Sequence, residues 1–198
     1  FREYVSKVVE PKKLIDDYKK FLDNGKTERE CVVQIAKMAE EIGYKDINSV
    51  ESLKPGDKVY IKKMDKAIAL FNIGTENIEN GMNILGAHID SPRLDAKQKP
   101  LYESDNIVYM NTHYYGGIKK YQWTAIPLSL HGVIIKADGS SVTVNIGEDE
   151  ADPVFCVTDL LPHLATDQMK RNLAQGIKGE ELNILVGSRP FKDNEESE

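Results

Sequence analysis

His88 and Asp90 are the residues whose types and spacing can do chemistry. They end the run Asn83-Ile84-Leu85-Gly86-Ala87-His88-Ile89-Asp90-Ser91-Pro92, which is apolar until it reaches the histidine and stops at Ser-Pro. A catalytic metal takes a neutral imidazole whose other ring nitrogen is tied to a carboxylate, which fixes the tautomer and raises ligand basicity. Residues two apart in an extended segment share a face, so Asp90 can reach back to His88. An HxD pair also serves as an ordinary structural hydrogen bond, and at this point both readings stay open. By their surroundings alone the remaining histidines read as structural. His113 lies beside Tyr114 and Tyr115, His131 beside Gly132, and His163 in Leu160-Leu161-Pro162-His163-Leu164 near an expected helix start. A serine-hydrolase reading fails because no G-x-S-x-G elbow is present, and neither Gly-rich phosphate-binding signature occurs.

The elements that must position these residues follow from pattern. Leu14, Ile15, Tyr18, Phe21 and Leu22 form a helical stripe between Pro11 and Gly25. Thr27 and Glu30 then form a capping-box pattern before a face of Val32, Ile35, Ala39 and Ile42, and Gly43 ends that helix. Lys58 to Met64 and Ala67 to Ile73 predict a hairpin around Asp65-Lys66. Met82 to Ala87 predicts a strand buried on both faces, with His88 at its carboxyl end, where open α/β sheets usually bind ligands.

After Pro92 the chain turns polar, and Arg93 to Glu103 reads as a crossing between domains. A β-rich region follows, with strands expected at Ile107 to Tyr115, Leu128 to Lys136, Val142 to Ile146 and Leu182 to Val186. Asp159 opens a helical pattern of Leu160, Leu161, Leu164, Met169 and Leu173, with Pro162 in its first turn. Lys192 to Glu198 reads as a solvated acidic tail. The predicted organisation is α/β over residues 1–97 and β-rich over residues 98–198.

Composition bounds the function classes. The 198 residues are 40% hydrophobic and 29% charged, an ordinary globular balance. A net charge of −6 without Lys/Arg clusters argues against nucleic-acid binding. No apolar run approaches the roughly 20 residues of a membrane span, and Phe1-Arg2-Glu3-Tyr4 lacks a signal-peptide plan. Cys31 and Cys156 are isolated, and the expectation is two reduced, buried thiols in a cytoplasmic protein.

Gly86-Ala87-His88-Ile89-Asp90-Ser91-Pro92-Arg93-Leu94 resembles the metal-site strand of the aspartyl aminopeptidase (aminopeptidase I) family of zinc metallopeptidases. The resemblance continues through Lys97, Tyr115-Gly116-Gly117, Pro162-His163-Leu164, Gly179-Glu180-Glu181-Leu182-Asn183 and Val186-Gly187-Ser188, in the family's order. It implies a partial α/β metallopeptidase catalytic domain, followed by an inserted β-rich domain that forms dimers and larger tetrahedral assemblies. It also implies removal of N-terminal residues from peptide substrates at a site holding two Zn2+ ions. Carried over, His88 is a zinc ligand and Asp90 its orienting partner, while His163 reaches the active site of a neighbouring subunit. Ile89 stands where many members have Thr, and Tyr114 to Trp123 departs from the aspartyl-specific branch, so a preference for acidic residues is not implied. The family's Glu-Glu pair, bridging Asp and late Asp and His ligands have no counterpart here. The expectation is the N-terminal portion of an aminopeptidase, inactive alone; the alternative is a non-catalytic oligomerisation module with an incomplete metal site.

Overall fold

The computed structural model describes residues 11–188. It divides into two compact units, Phe1–Ser91 and Pro92–Glu198. The border therefore falls ahead of the one read from composition between residues 97 and 98. The expected N-terminal signal-free stretch and the acidic tail lie outside the described residues.

In the first unit, helix α1 (Pro11–Asn24) and helix α2 (Glu28–Glu41) form where the stripes predict them. The joint between them is tight: a Cβ on Gly25 would come within 2.8 Å of the Cys31 Sγ and 2.9 Å of the Phe21 carbonyl oxygen. At the start of α2 the Glu30 backbone N–H donates to the Thr27 hydroxyl at 3.3 Å, and the Thr27 N–H donates to the Glu30 carboxylate at 2.8 Å. Two otherwise orphaned N–H groups are thereby satisfied. Thr27→Ala is expected to cost about 1 kcal/mol, read as a lower denaturant midpoint with an unchanged slope.

Helix α2 buries Cys31, Val32, Ala36 and Ala39. Burial pushes the Cys31 thiol up, so it stays protonated and behaves as a small apolar side chain. The helix packs on strands β2 (Lys58–Lys63) and β3 (Ala67–Asn72), whose sheet also takes β1 (Lys45–Asp46) in parallel beside β2. The Tyr60 hydroxyl donates to the Glu40 carboxylate at 2.6 Å, joining strand to helix. That bond, with burial, pushes the phenol up to about 12. Met64 and Asp65 take φ values of 52° and 53°, so the hairpin turn lies one residue earlier than the sequence predicts.

Three expectations are overturned. Met82 to Ala87 forms no strand and pairs with none among the described residues; Leu85 is fully exposed, and Ile84 and Met82 are exposed as well. An apolar run becomes a buried strand only where neighbours take its backbone N–H and C=O groups, and the described residues supply none. The polar crossing is instead strand β4 (Arg93–Ser104). Its alternation is hidden by a register shift between Ala96 and Leu101, with Lys99 at φ 50°. The stripe after Asp159 forms successive turns, with one 3-10 turn at Gln168–Lys170, in place of an α-helix. Short helices depend on packing an apolar face, and Leu160, Leu161, Leu164, Met169 and Leu173 are all more than half exposed.

In the second unit β4 pairs with β5 (Ile107–Tyr115) across a turn at Asp105 and Asn106, both at positive φ. Strand β8 (Ile184–Gly187) completes an antiparallel sheet of order β4-β5-β8. A separate hairpin joins β6 (Leu130–Ile135) to β7 (Ser141–Ile146). The core is Met110, Phe155, Val157, Ile177, Leu182 and Ile184. Thr112 is buried among them and donates its hydroxyl to the Leu182 carbonyl. No helix among the described residues is long and apolar enough to cross a membrane. The architecture is mixed α/β with small sheets.

Candidate metal-ligand pair and loop histidine

His88 and Asp90 close the irregular stretch at the end of the first unit. The His88 Nδ1 lies 3.1 Å from the Asp90 Oδ1 and 3.1 Å from the Asp90 backbone oxygen. With its proton on Nδ1, the ring donates to the carboxylate and turns a bare Nε2 outward. The imidazole is 86% exposed, so that nitrogen is open to a ligand. Its chemistry fits one position of a zinc site, where neutral imidazole nitrogen is a preferred donor. Among the described residues, no group of three His, Cys, Asp or Glu side chains is gathered as a metal site. The pair presents one outward imidazole nitrogen with a carboxylate hydrogen-bonded behind it.

His163 belongs to the second unit. The Leu164 N–H donates to the Leu161 carbonyl at 2.9 Å, which makes Pro162 and His163 the middle of a tight turn. Proline presets the backbone angle that the first central position needs. Ala165, buried just beyond, pins the turn, while His163 itself is exposed. The sequence reading of a capped helix start is corrected accordingly.

The other two histidines differ. His131 has a side chain only 8% exposed, with Nε2 3.0 Å from both the Ser129 hydroxyl and the Glu148 carboxylate, the structural role expected of it. His113 lies on an exposed strand end with its ring stacked on Tyr114.

The shared motifs meet in space within the second unit. Lys97 donates to the Glu180 carboxylate at 2.7 Å and holds that carboxyl below its ordinary range. Burial pushes the neighbouring Glu181 up, yet the Lys178 N–H and the Arg171 guanidinium bring it below its usual value. Gly179 passes so close to the Tyr114 ring that a Cβ would lie 2.9 Å from it. A cavity of about 410 Å³ opens beside this cluster, lined among others by Tyr102, Tyr109, Asp159, Gln168 and Arg171. Asp159 and Gln168 were missed as a pair by sequence reasoning. The signal available was an aspartate directly before Leu-Leu-Pro, a turn-forming context that the apolar stripe obscured.

Residues 21–198 match the family described as aminopeptidase I zinc metalloprotease (M18). A probable M18 family aminopeptidase 1 of Clostridium acetobutylicum is 54% identical over 187 residues, which cover 92% of this chain and 40% of that protein. The crystal structure of an M18-family aminopeptidase from Thermotoga maritima superposes with a TM-score of 0.85 at 37% identity, covering 97% of this chain and 43% of that one. That of aminopeptidase I from Clostridium acetobutylicum gives 0.76 at 53% identity, covering 91% and 41%. The chain thus spans less than half the length of these relatives. It belongs to the aminopeptidase I (M18) family of zinc metalloproteases.

Proposed function

We propose that the full-length protein carrying this chain is a zinc-dependent aminopeptidase that removes N-terminal residues from peptides in the cytoplasm. The observation that carries this reading is the His88–Asp90 pair, with Nδ1 held at 3.1 Å and Nε2 open, in a chain of this family. His88 holds one zinc, and Asp90 fixes the ring's tautomer and aim. The remaining ligands and the general base come from the share of the relatives' length that this chain does not span. Zinc, when bound, supplies Lewis-acid polarisation of the first peptide carbonyl and acidifies a water molecule. His163 acts on a neighbouring subunit's substrate, where an imidazole on an exposed turn can donate a hydrogen bond to charge developing on the peptide. The β-rich unit provides the dimer contact, and larger assemblies are built from such dimers.

The scarcity of metal ligands among the described residues favours a second reading for the 198-residue chain alone, that of a non-catalytic assembly module. That second reading is favoured if the isolated chain forms a dimer without zinc by light scattering and metal analysis; the first is tested by assaying the full-length protein on peptides with free and acetylated N-termini. The proposal expects release of the first residue from the free peptide only, loss of activity with a chelator, and recovery with zinc. Activity untouched by chelation would sink it. On the isolated chain, stoichiometric tight zinc binding would contradict the one-ligand assignment.

A further inference from the structure

Asp159 joins both ends of the loop that carries His163. Its Oδ1 accepts the Leu160 N–H at 2.8 Å and the Gln168 side-chain N–H at 2.9 Å, nine residues along. Its Oδ2 lies 3.5 Å from the hydroxyl of Thr124, a residue whose backbone bridges to buried Val157. One carboxylate therefore closes the loop at its base and ties the closure to the core strand pairing. Hydrogen bonds to an ionised acceptor are roughly twice as strong as neutral ones.

The loop needs such a clasp. Leu160, Leu161 and Leu164 are held largely in solvent, an arrangement that apolar side chains resist. The cavity of about 410 Å³ is bordered by Asp159, Leu160 and Gln168, so it offers a space into which a released loop would fold its leucines. Within the loop, the Leu161 and Pro162 carbonyls accept the Leu164 and Ala165 N–H groups, and the Ala165 carbonyl accepts the Met169 N–H at 2.8 Å. Among the charges that line the cavity, Arg171 pairs with Glu181, while Glu180 pairs with Lys97 outside it.

We propose that Asp159 and Gln168 are positioning residues for His163: their hydrogen bond holds the 160–167 loop open and aims the histidine at a second copy of this chain. The inference rests on the reading that His163 acts in a neighbour's site. Loss of the clasp lowers kcat of the full-length enzyme between about tenfold and a hundredfold, the scale set by misplacing a group by about 1 Å.

The test uses full-length Asp159→Ala, Gln168→Leu, Asp159→Asn and His163→Ala, with kcat, KM, zinc content and assembly mass measured for each. Asp159→Ala and Gln168→Leu are expected to lose kcat while zinc content and mass stay those of the parent. Asp159→Asn, whose amide oxygen still accepts both N–H groups, recovers most of the activity. Gln168→Leu combined with His163→Ala is no less active than His163→Ala alone, because the clasp acts only through the histidine. Full activity in Gln168→Leu, or losses that multiply in the double variant, overturns the clasp while leaving His163 in place. Full activity in His163→Ala instead overturns the reading beneath it. Asp159→Ala that loses its assembly mass, with Gln168→Leu fully active, assigns Asp159 a purely structural role and also overturns the proposal.

Discussion

Replacing His88 with alanine in the full-length protein is expected to lower kcat/KM by more than about a hundredfold and to reduce its zinc content. Loss of an outer hydrogen-bond partner of a metal ligand costs about 10- to 100-fold, and loss of the ligand itself costs more. Asp90→Asn supplies the comparison. Asparagine keeps an oxygen to accept the Nδ1 proton but removes the negative charge, so its effect falls within that lower range and its zinc content falls less. The ordering separates the two roles: His88→Ala below Asp90→Asn below the parent, in both activity and metal. Equal activity in the His88→Ala protein and the parent would remove His88 from the site altogether.

A second large effect concerns stability and is independent of function. Leu182 has no exposed surface and lies at the centre of the β4-β5-β8 core, while its carbonyl accepts the buried Thr112 hydroxyl. Leu182→Ala leaves a cavity among Met110, Val157 and Ile184 and is expected to cost about 3 kcal/mol, within the range of such truncations. Against total stabilities of about 5–15 kcal/mol this is a large fraction, visible as a lower denaturant midpoint. Leu164→Ala is the control, since its side chain is 71% exposed, and surface changes of this kind fall within about 0.5 kcal/mol. Comparable destabilisation by the two variants would mean that the 160–167 loop is packed and not displayed.

The elements that could be read from sequence are those whose signals are local. Thr27 and Glu30 cap α2 because a capping box needs only four residues. The β2–β3 and β6–β7 hairpins follow from short turns between alternating runs, and the β5 span was legible from its own alternation. Elements that depend on partners were misread. The apolar run ending at Ala87 carries every mark of a central strand, yet a strand is defined by its neighbours. Strand β4 was hidden because four residues leave its ladder between Ala96 and Leu101, which breaks the alternation.

The same division applies to the site. His88 and Asp90 were found because an i, i+2 spacing acts locally in extended chain. Asp159 and Gln168 were not, because a helical reading would set them about 13.5 Å apart along the axis, whereas the turns bring their side chains to 2.9 Å. His163 looked like a capping residue only for as long as the segment looked like a helix.

The central claim is that each chain contributes His88 to its own site and His163 to its neighbour's. It is tested most directly by co-expressing full-length His88→Ala and His163→Ala subunits and assaying the mixed assembly. Each variant alone is expected to be nearly inactive. In a mixed dimer, the subunit that retains His88 receives His163 from its partner, so one of the two sites is whole. Random pairing of the two subunits in a two-fold dimer then restores about a quarter of the parent activity. Recovery near that level supports the shared site; mixed assemblies of confirmed composition that stay as inactive as the separate variants would contradict it.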